Sequence, residues 1–211
     1  MEIIWLGHSC FLIRWGDKAL VTDPPDESVG YRLPPLQADM VLISHDHDDH
    51  SNIGAIQGSP VVVRAVGEHL ASGVRFRGVA TWHDQHHGAM RGPNTAFCFE
   101  LEGVRLCHLG DLGHLLTPDQ LAEIGPVDLL FLPVGGIYTL DAKAAAAVAD
   151  QLKPAVVVPM HYLTGQLSFE LEPVGSFLKG RKVEGPLPSL NVTRDSLGPP
   201  RTVILECRSS L

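Results

Sequence analysis

Short apolar runs, rather than long amphipathic ones, punctuate this chain. Ile3 to Leu6, Cys10 to Trp15 and Ala19 to Thr22 are separated by Gly7 and by Gly16-Asp17, which predicts a meander of three strands joined by tight turns. After Asp23, the segment from Pro24-Pro25 to about Gln37 is irregular and reads as a flap over a site. Met40 to Ile43 is unbroken apolar, the pattern of a strand buried on both faces, and a helix is predicted from Ser51. Val61 to Val63 predicts a strand, Val66 to Ser72 a short helix, Val74 to Trp82 a strand and His83 to Gly92 a loop.

Alternation over Thr95 to Leu101, a turn at Gly103 and a return over Val104 to Leu109 predict a hairpin ending at Gly110-Asp111. Thr117 and Pro118 open a helix to Ile124, and Asp141 caps an alanine-rich helix to Leu152. Asp128 to Leu132 and Ala155 to Pro159 read as buried strands, the second running into Met160-His161. From Leu163 to Pro200 the pattern weakens, with one helix over Val174 to Leu178, before a last strand at Thr202 to Glu206. Strands mixed with helices imply an α/β sandwich, because each helix needs an apolar sheet face to cover.

Composition sharpens this picture. With 45% hydrophobic and 19% charged residues, the 211-residue chain is globular, and residues 1–211 read as a single domain. A net charge of −8 leaves no basic field to hold a nucleic-acid backbone or an anionic membrane. No apolar run is long enough to span a bilayer and the N-terminus lacks a basic region before its first apolar run, so a soluble, cytoplasmic protein is expected. Cys10, Cys98, Cys107 and Cys207 form no C-x-x-C pair and read as buried thiols.

The 11 histidines are about twice ordinary usage, and their placement directs attention to metal chemistry. His45, His47, Asp49 and His50 form His-x-His-x-Asp-His directly after a buried strand, a donor set suited to Zn, Fe, Mn or Ni. Four ligands cannot close two tetrahedral sites. His83, Asp111 and His161 each follow a predicted strand, and together these seven side chains suffice for two ions sharing one carboxylate. His86 and His87 lie close enough to His83 to leave open which of the three is the ligand.

Thr22-Asp23-Pro24, the His45 to His50 cluster, His83, Gly110-Asp111 and His161 occur in an order that resembles the metallo-β-lactamase superfamily. Trp5-Leu6-Gly7-His8-Ser9, His108-Leu109-Gly110-Asp111-Leu112-Gly113, Pro133-Val134-Gly135-Gly136 and Pro159-Met160-His161-Tyr162 resemble its L-ascorbate-6-phosphate lactonase-like branch. The resemblance implies a four-layer αββα sandwich of two mixed sheets flanked by helices. It implies that His45, His47 and His83 hold a first metal, that Asp49, His50 and His161 hold a second, and that Asp111 bridges them. Asp23 would support the metal loop from behind. The implied activity is hydrolysis of an ester, lactone, amide or phosphoester by a hydroxide shared between two divalent ions, Zn first and Mn, Fe or Ni otherwise. Asp49 and Asp111 are then the catalytic carboxylates, with Asp49 orienting the hydroxide and carrying its proton.

Several further residues are candidates for substrate contact or support. His8 follows the first strand and can face substrate or a metal-bound water, or simply cap a turn. Asp84 can orient His83, and Arg91 and Asn94 can bind an anionic group. Tyr138 and Tyr162 can offer a phenol to a leaving group, although packing tyrosines are commoner. The expected partner is a small-molecule substrate, with no membrane and with a homo-oligomer compatible. A nuclease acting on single strands is the alternative, against which the net charge counts. A di-iron redox or sensor protein is a third reading, weakened because no rubredoxin- or flavodoxin-like segment is present.

Overall fold

The structure, a computed structural model, describes residues 1–209. In chain order the strands and helices are β1 (Glu2–Gly7), β2 (Cys10–Trp15), β3 (Lys18–Thr22), β4 (Leu36–Gln37), β5 (Met40–Leu42), β6 (Ile56–Gln57) and β7 (Val61–Val63). Then come β8 (Gly67–Ala71), β9 (Val74–Trp82), β10 (Pro93–Leu101), β11 (Val104–His108), α1 (Pro118–Ile124), β12 (Leu129–Pro133), α2 (Ala142–Leu152) and β13 (Val156–Met160). The chain ends with α3 (Gly175–Leu178), β14 (Val183–Leu187), β15 (Leu190–Asn191) and β16 (Arg201–Leu205).

One mixed sheet has the order β15-β1-β2-β3-β5-β7, and a second has β14-β16-β13-β12-β11-β10-β9-β8. The two face each other across the main core, and alternation along the strands explains how. Phe11, Ile13, Met40 and Leu42 point into that core, whereas Cys10, Leu12, Val41 and Ile43 pack on the opposite side of the first sheet with Leu36, Ala38 and Ile56. This accounts for the unbroken apolar run at Met40 to Ile43, since both faces of β5 are covered. Phe11 and Phe131 join the sheets with ring centroids 4.5 Å apart.

The α/β sandwich is as expected, and the helices lie on the second sheet, α1 against β9 and α2 against β12. Thr117 forms a capping box with Gln120, and the Asp141 side chain accepts from the Ala144 N–H, as their positions predicted. On the outer side of the first sheet, no helix follows Ser51. Residues Ile53–Ala55 make one 3-10 turn and the chain enters β6, which pairs with β4. Gly54, Gly58 and Pro60 interrupt helical continuation there, and the Pro24 carbonyl holds the Asn52 N–H.

The second correction concerns residues 66–72, expected as a helix, where Gly67–Ala71 form β8 instead. Its burial alternates, and the Ser72-Gly73 turn folds it back antiparallel on β9. β14 and β15 lie in the stretch where the pattern was weak and were not foreseen. Cys10 and Cys107 are buried, but Cys98 and Cys207 are only half-buried, and all four thiols are free. Among the described residues, no helix is long and apolar enough to cross a membrane.

Candidate metal centre

The chemistry-bearing side chains converge at one edge of the sandwich, where the loops after β1, β3, β5, β9, β11 and β13 meet. Parallel pairing of β11, β12 and β13 brings the ends of β11 and β13 to the same edge, and with them Asp111 and His161. Three non-glycine residues at these strand ends sit in the left-handed region: His8 (φ 51°), Asp23 (φ 37°) and His161 (φ 52°). Such conformations cost energy and concentrate at functional sites.

Asp111 is the hub. Its Oδ2 lies 3.0 Å from His161 Nε2, 3.1 Å from His83 Nε2, 3.2 Å from His50 Nε2 and 4.0 Å from His45 Nε2. His45, His47 and His83 offer one set of donor atoms, all within 4.8 Å of one another. His8, Asp49, His50 and His161 offer another, and His45, His50 and Asp111 a third that lies between them. All seven expected ligands are therefore brought together, and His83 is the member of its trio that faces the site. His86 and His87 are exposed on the loop beyond it.

The donors fit divalent cations. Asp111 is fully buried, and its Oδ1 has no hydrogen-bond partner. Buried polar atoms left this way are uncommon, and a carboxylate ringed by imidazole nitrogens suits zinc or a first-row relative.

Charge sharing within the cluster is strong. Burial opposes ionisation of Asp111, yet His161 and His50 hold its carboxyl well below the usual range. Burial likewise opposes the charged form of Asp49 and is outweighed by His50, so Asp49 is also held far down. Burial pulls His50 down, but Asp111 and Asp49 raise it well above an ordinary histidine. At two other histidines burial prevails although those carboxylates lie close: His45 falls to about 3, with His50 contributing, and His8 to about 4, with His161 contributing.

Behind the donors lies a layer of supports. Asp23 accepts hydrogen bonds from the Ser44 N–H (2.7 Å) and hydroxyl (2.7 Å) and contacts His50 Nδ1 at 3.1 Å, which places it where the resemblance implied. Asn94 differs from its expected role. It is 1% exposed and its amide is fully engaged, donating to Thr81 Oγ1 (2.7 Å) and the Leu109 carbonyl (2.9 Å) and accepting from the Asp111 N–H (2.9 Å). It anchors the Asp111 loop and has no group free for an anion. Gly110, in the left-handed region at φ 54°, has no room for a Cβ because Asn94 Oδ1 and Ser44 lie against it.

Asp84 does not orient His83; it accepts four backbone N–H groups, from His86, Gly88, Met90 and Arg91, and shapes the loop after β9. His108 is a buried core histidine that bonds to the Ser9 carbonyl. Tyr162 is also packed inside, its ring 5.1 Å from that of Trp5, and burial raises its hydroxyl. It lies outside the pocket lining, and of the two tyrosines only Tyr138 lines it.

That pocket, of about 280 Å³, is lined by His47, Asp49, His83, Arg91, Asp111, Tyr138, His161 and Phe169. Arg91 lies 5.3 Å from the Tyr138 ring centre, and Phe169 meets Tyr138 edge-on at 5.8 Å. Phe169 carried no sequence signal, because an aromatic in an irregular segment has no pattern that marks it. The segment from 24 to 37 does not roof this pocket. It contributes Val29 to an adjoining cavity beside Asp49, while Tyr31 is buried and bonds to Thr164 at 2.7 Å.

A two-sheet sandwich with this cluster of donors at its edge defines the class, and residues 2–161 match the family model of the beta-lactamase superfamily domain. The chain is 31% identical over 192 residues to a UPF0173 metal-dependent hydrolase of Thermococcus onnurineus, covering 78% of this chain and 85% of that one. It is 30% identical over 193 residues to another from Thermoplasma acidophilum, covering 79% and 85%. Within the superfamily, the chain belongs to the UPF0173 metal-dependent hydrolase family. A solved candidate zinc-dependent hydrolase from Thermotoga maritima is 39% identical, with a TM-score of 0.80 over 97% of this chain and 98% of that one.

Proposed function

We propose that the protein is a binuclear metal-dependent hydrolase that cleaves an ester, lactone or phosphoester bond of a small substrate. The carrying observation is the position of Asp111 Oδ2 between two sets of donors, one of three histidines and one containing Asp49, His50 and His161. Divalent ions held there would make hydroxide available near neutral pH and polarise the bond under attack. Zinc suits the imidazole-rich set best, and manganese, iron or nickel are compatible.

The chain's own groups supply the rest. Asp111 and Asp49 are kept ionised, so both can act as ligands or bases at neutral pH. Asp49 lines the pocket with its side chain 22% exposed, which places a carboxylate where it can take a proton from water and return it to a leaving group. Tyr138 and Phe169 exclude water from one side, and Arg91 offers a positive charge to an anionic part of the substrate. A volume of about 280 Å³ suits a small molecule, and Arg91 is the single Arg or Lys among the described lining residues, which favours such a substrate over a nucleic-acid strand. A lactone is the preferred member of this class because the glycine- and histidine-bearing loops resemble the lactonase-like branch.

The test is metal content per chain with turnover of a panel of lactones, carboxylic esters and bis-p-nitrophenyl phosphate, for wild type and Asp111→Ala. Near two equivalents in wild type, falling together with turnover in the variant, supports the proposal. One equivalent or none, or two of iron with no hydrolysis of any panel member, refutes it.

A further inference from the structure

His8 is completely buried and its donor atom falls in one cluster with those of Asp49, His50 and His161, yet it stands outside the seven ligands that the resemblance implied. Its Nε2 lies 3.1 Å from Asp49 Oδ2, matching the 3.0–3.2 Å between Asp111 Oδ2 and Nε2 of His161, His83 and His50. Two donors bonded to one ion at about 2.0–2.1 Å are themselves about 2.8–3.4 Å apart for angles from square to tetrahedral, so these spacings fit atoms around shared cations.

Ring positions agree. Imidazoles that bind one ion through either ring nitrogen stand at similar radii from it, and their centroid separations then report the angles between them. In the three-histidine set those separations are 4.5, 4.9 and 5.2 Å, a narrow spread suited to a tetrahedron. His8 lies 4.0 Å from His161 and 5.0 Å from His50, while His50 and His161 are 6.0 Å apart. The wider spread is that of a higher coordination number, with small and large angles together.

His108 provides an internal control. It is a buried histidine with a purely structural place, and both its ring nitrogens are used, Nε2 toward the Ser9 carbonyl and Nδ1 accepting from the Gly110 N–H. His8 instead leaves Nδ1 without a partner, as His83 and His161 do. Its backbone is fixed to the same end: the His8 carbonyl accepts from Trp5 Nε1 at 2.9 Å and from the His161 N–H at 3.1 Å.

We propose that His8 is a metal ligand, the fifth protein donor of the second site beside Asp49, His50, His161 and the shared Asp111. The assignment rests on the binuclear reading above. It makes the two sites unequal: the second is closed by protein, and the first, with His45, His47 and His83, keeps the open position that catalytic sites require. A closed site of five donors also favours an ion that accepts more than four ligands.

The isosteric pair His8→Glu and His8→Gln separates a ligand from a hydrogen-bond donor to Asp49, since an ionised Glu is a strong ligand that cannot donate, whereas Gln can donate and offers a transition-metal ion only a weak neutral oxygen. Each metal-free protein would be titrated with Co²⁺, with bound equivalents counted by plasma mass spectrometry, visible absorption recorded, and folding checked by circular dichroism. Two equivalents are expected for wild type and His8→Glu. In His8→Gln the second ion should bind more than about 100-fold weaker, beyond the loss an outer-shell partner causes, with the first equivalent's absorption unchanged. A His8→Gln protein that holds both ions within about tenfold of wild type overturns the assignment and leaves the binuclear reading intact. A wild type that binds a single equivalent sinks both.

Discussion

Replacing Asn94 with leucine tests whether the Asp111 loop is held by hydrogen bonds from behind. The two side chains share one branched skeleton of four heavy atoms, with leucine the bulkier, so the change removes polarity without opening space for a compensating water. Three hydrogen bonds are lost, and Thr81 Oγ1 retains another through its bond to the Asn94 carbonyl at 3.0 Å. The Asp111 N–H and the Leu109 carbonyl lose the Asn94 amide, in residues only 1% and 0% exposed. At about 1–3 kcal/mol for each buried group left unpaired, the expected loss is about 2–6 kcal/mol. Urea unfolding of the metal-free protein measures this directly, because bound ions would add their own stabilisation to the native state. Metal content measured in parallel should also fall, since Asp111 depends on that N–H for its position. An Asn94→Leu protein within about 1 kcal/mol of wild type and carrying the same metal would refute the anchoring role, since that is the least a single unpaired group should cost.

Asp23→Asn should leave the fold in place but weaken metal binding about 10- to 100-fold, the usual consequence of losing a partner behind a ligand; competition with a chelator reads the change. Gly135→Ala places a methyl group onto the His161 carbonyl, so a lowered melting temperature and a loss of the His161-dependent ion are expected together. Asp128 is held down to about 2 by its hydrogen bond with Arg105, and also by Arg194, so it adds stability above its ordinary value near 4 that is lost as pH falls toward 2. Asp128→Asn should lower the unfolding midpoint at pH 7 and flatten this part of the acid limb, as urea titrations between pH 2 and 7 would show.

Local pattern made much of the scaffold legible. Alternation along β2 and the apolar run at β5 identified strands because side-chain direction has a period of two wherever the chain is extended. The caps at Thr117 and Asp141 were readable because each satisfies backbone groups within its own first turn. Residues 66–72 misled for the same reason that they were short: Gly-Glu-His-Leu-Ala carries too few apolar positions to separate one period from another, and pairing with β9 decided the matter. Asn94 misled differently, because its place beside Arg91 in sequence suggested a loop, while β10 begins at Pro93 and turns its amide inward.

By itself, the sequence determined the donor chemistry: which side chains can hold a cation, and their placement after strands, both follow from residue type and local periodicity. The tertiary structure decided which of those groups meet. Asp111 reaches His50, His83 and His161 through sheet pairings between segments far apart in the chain, and His83 rather than His86 faces inward because of how the loop is folded around Asp84. His8 joins Asp49 across 41 positions by the same means. Such distances come from the packing of two sheets against one core, and no local pattern contains them.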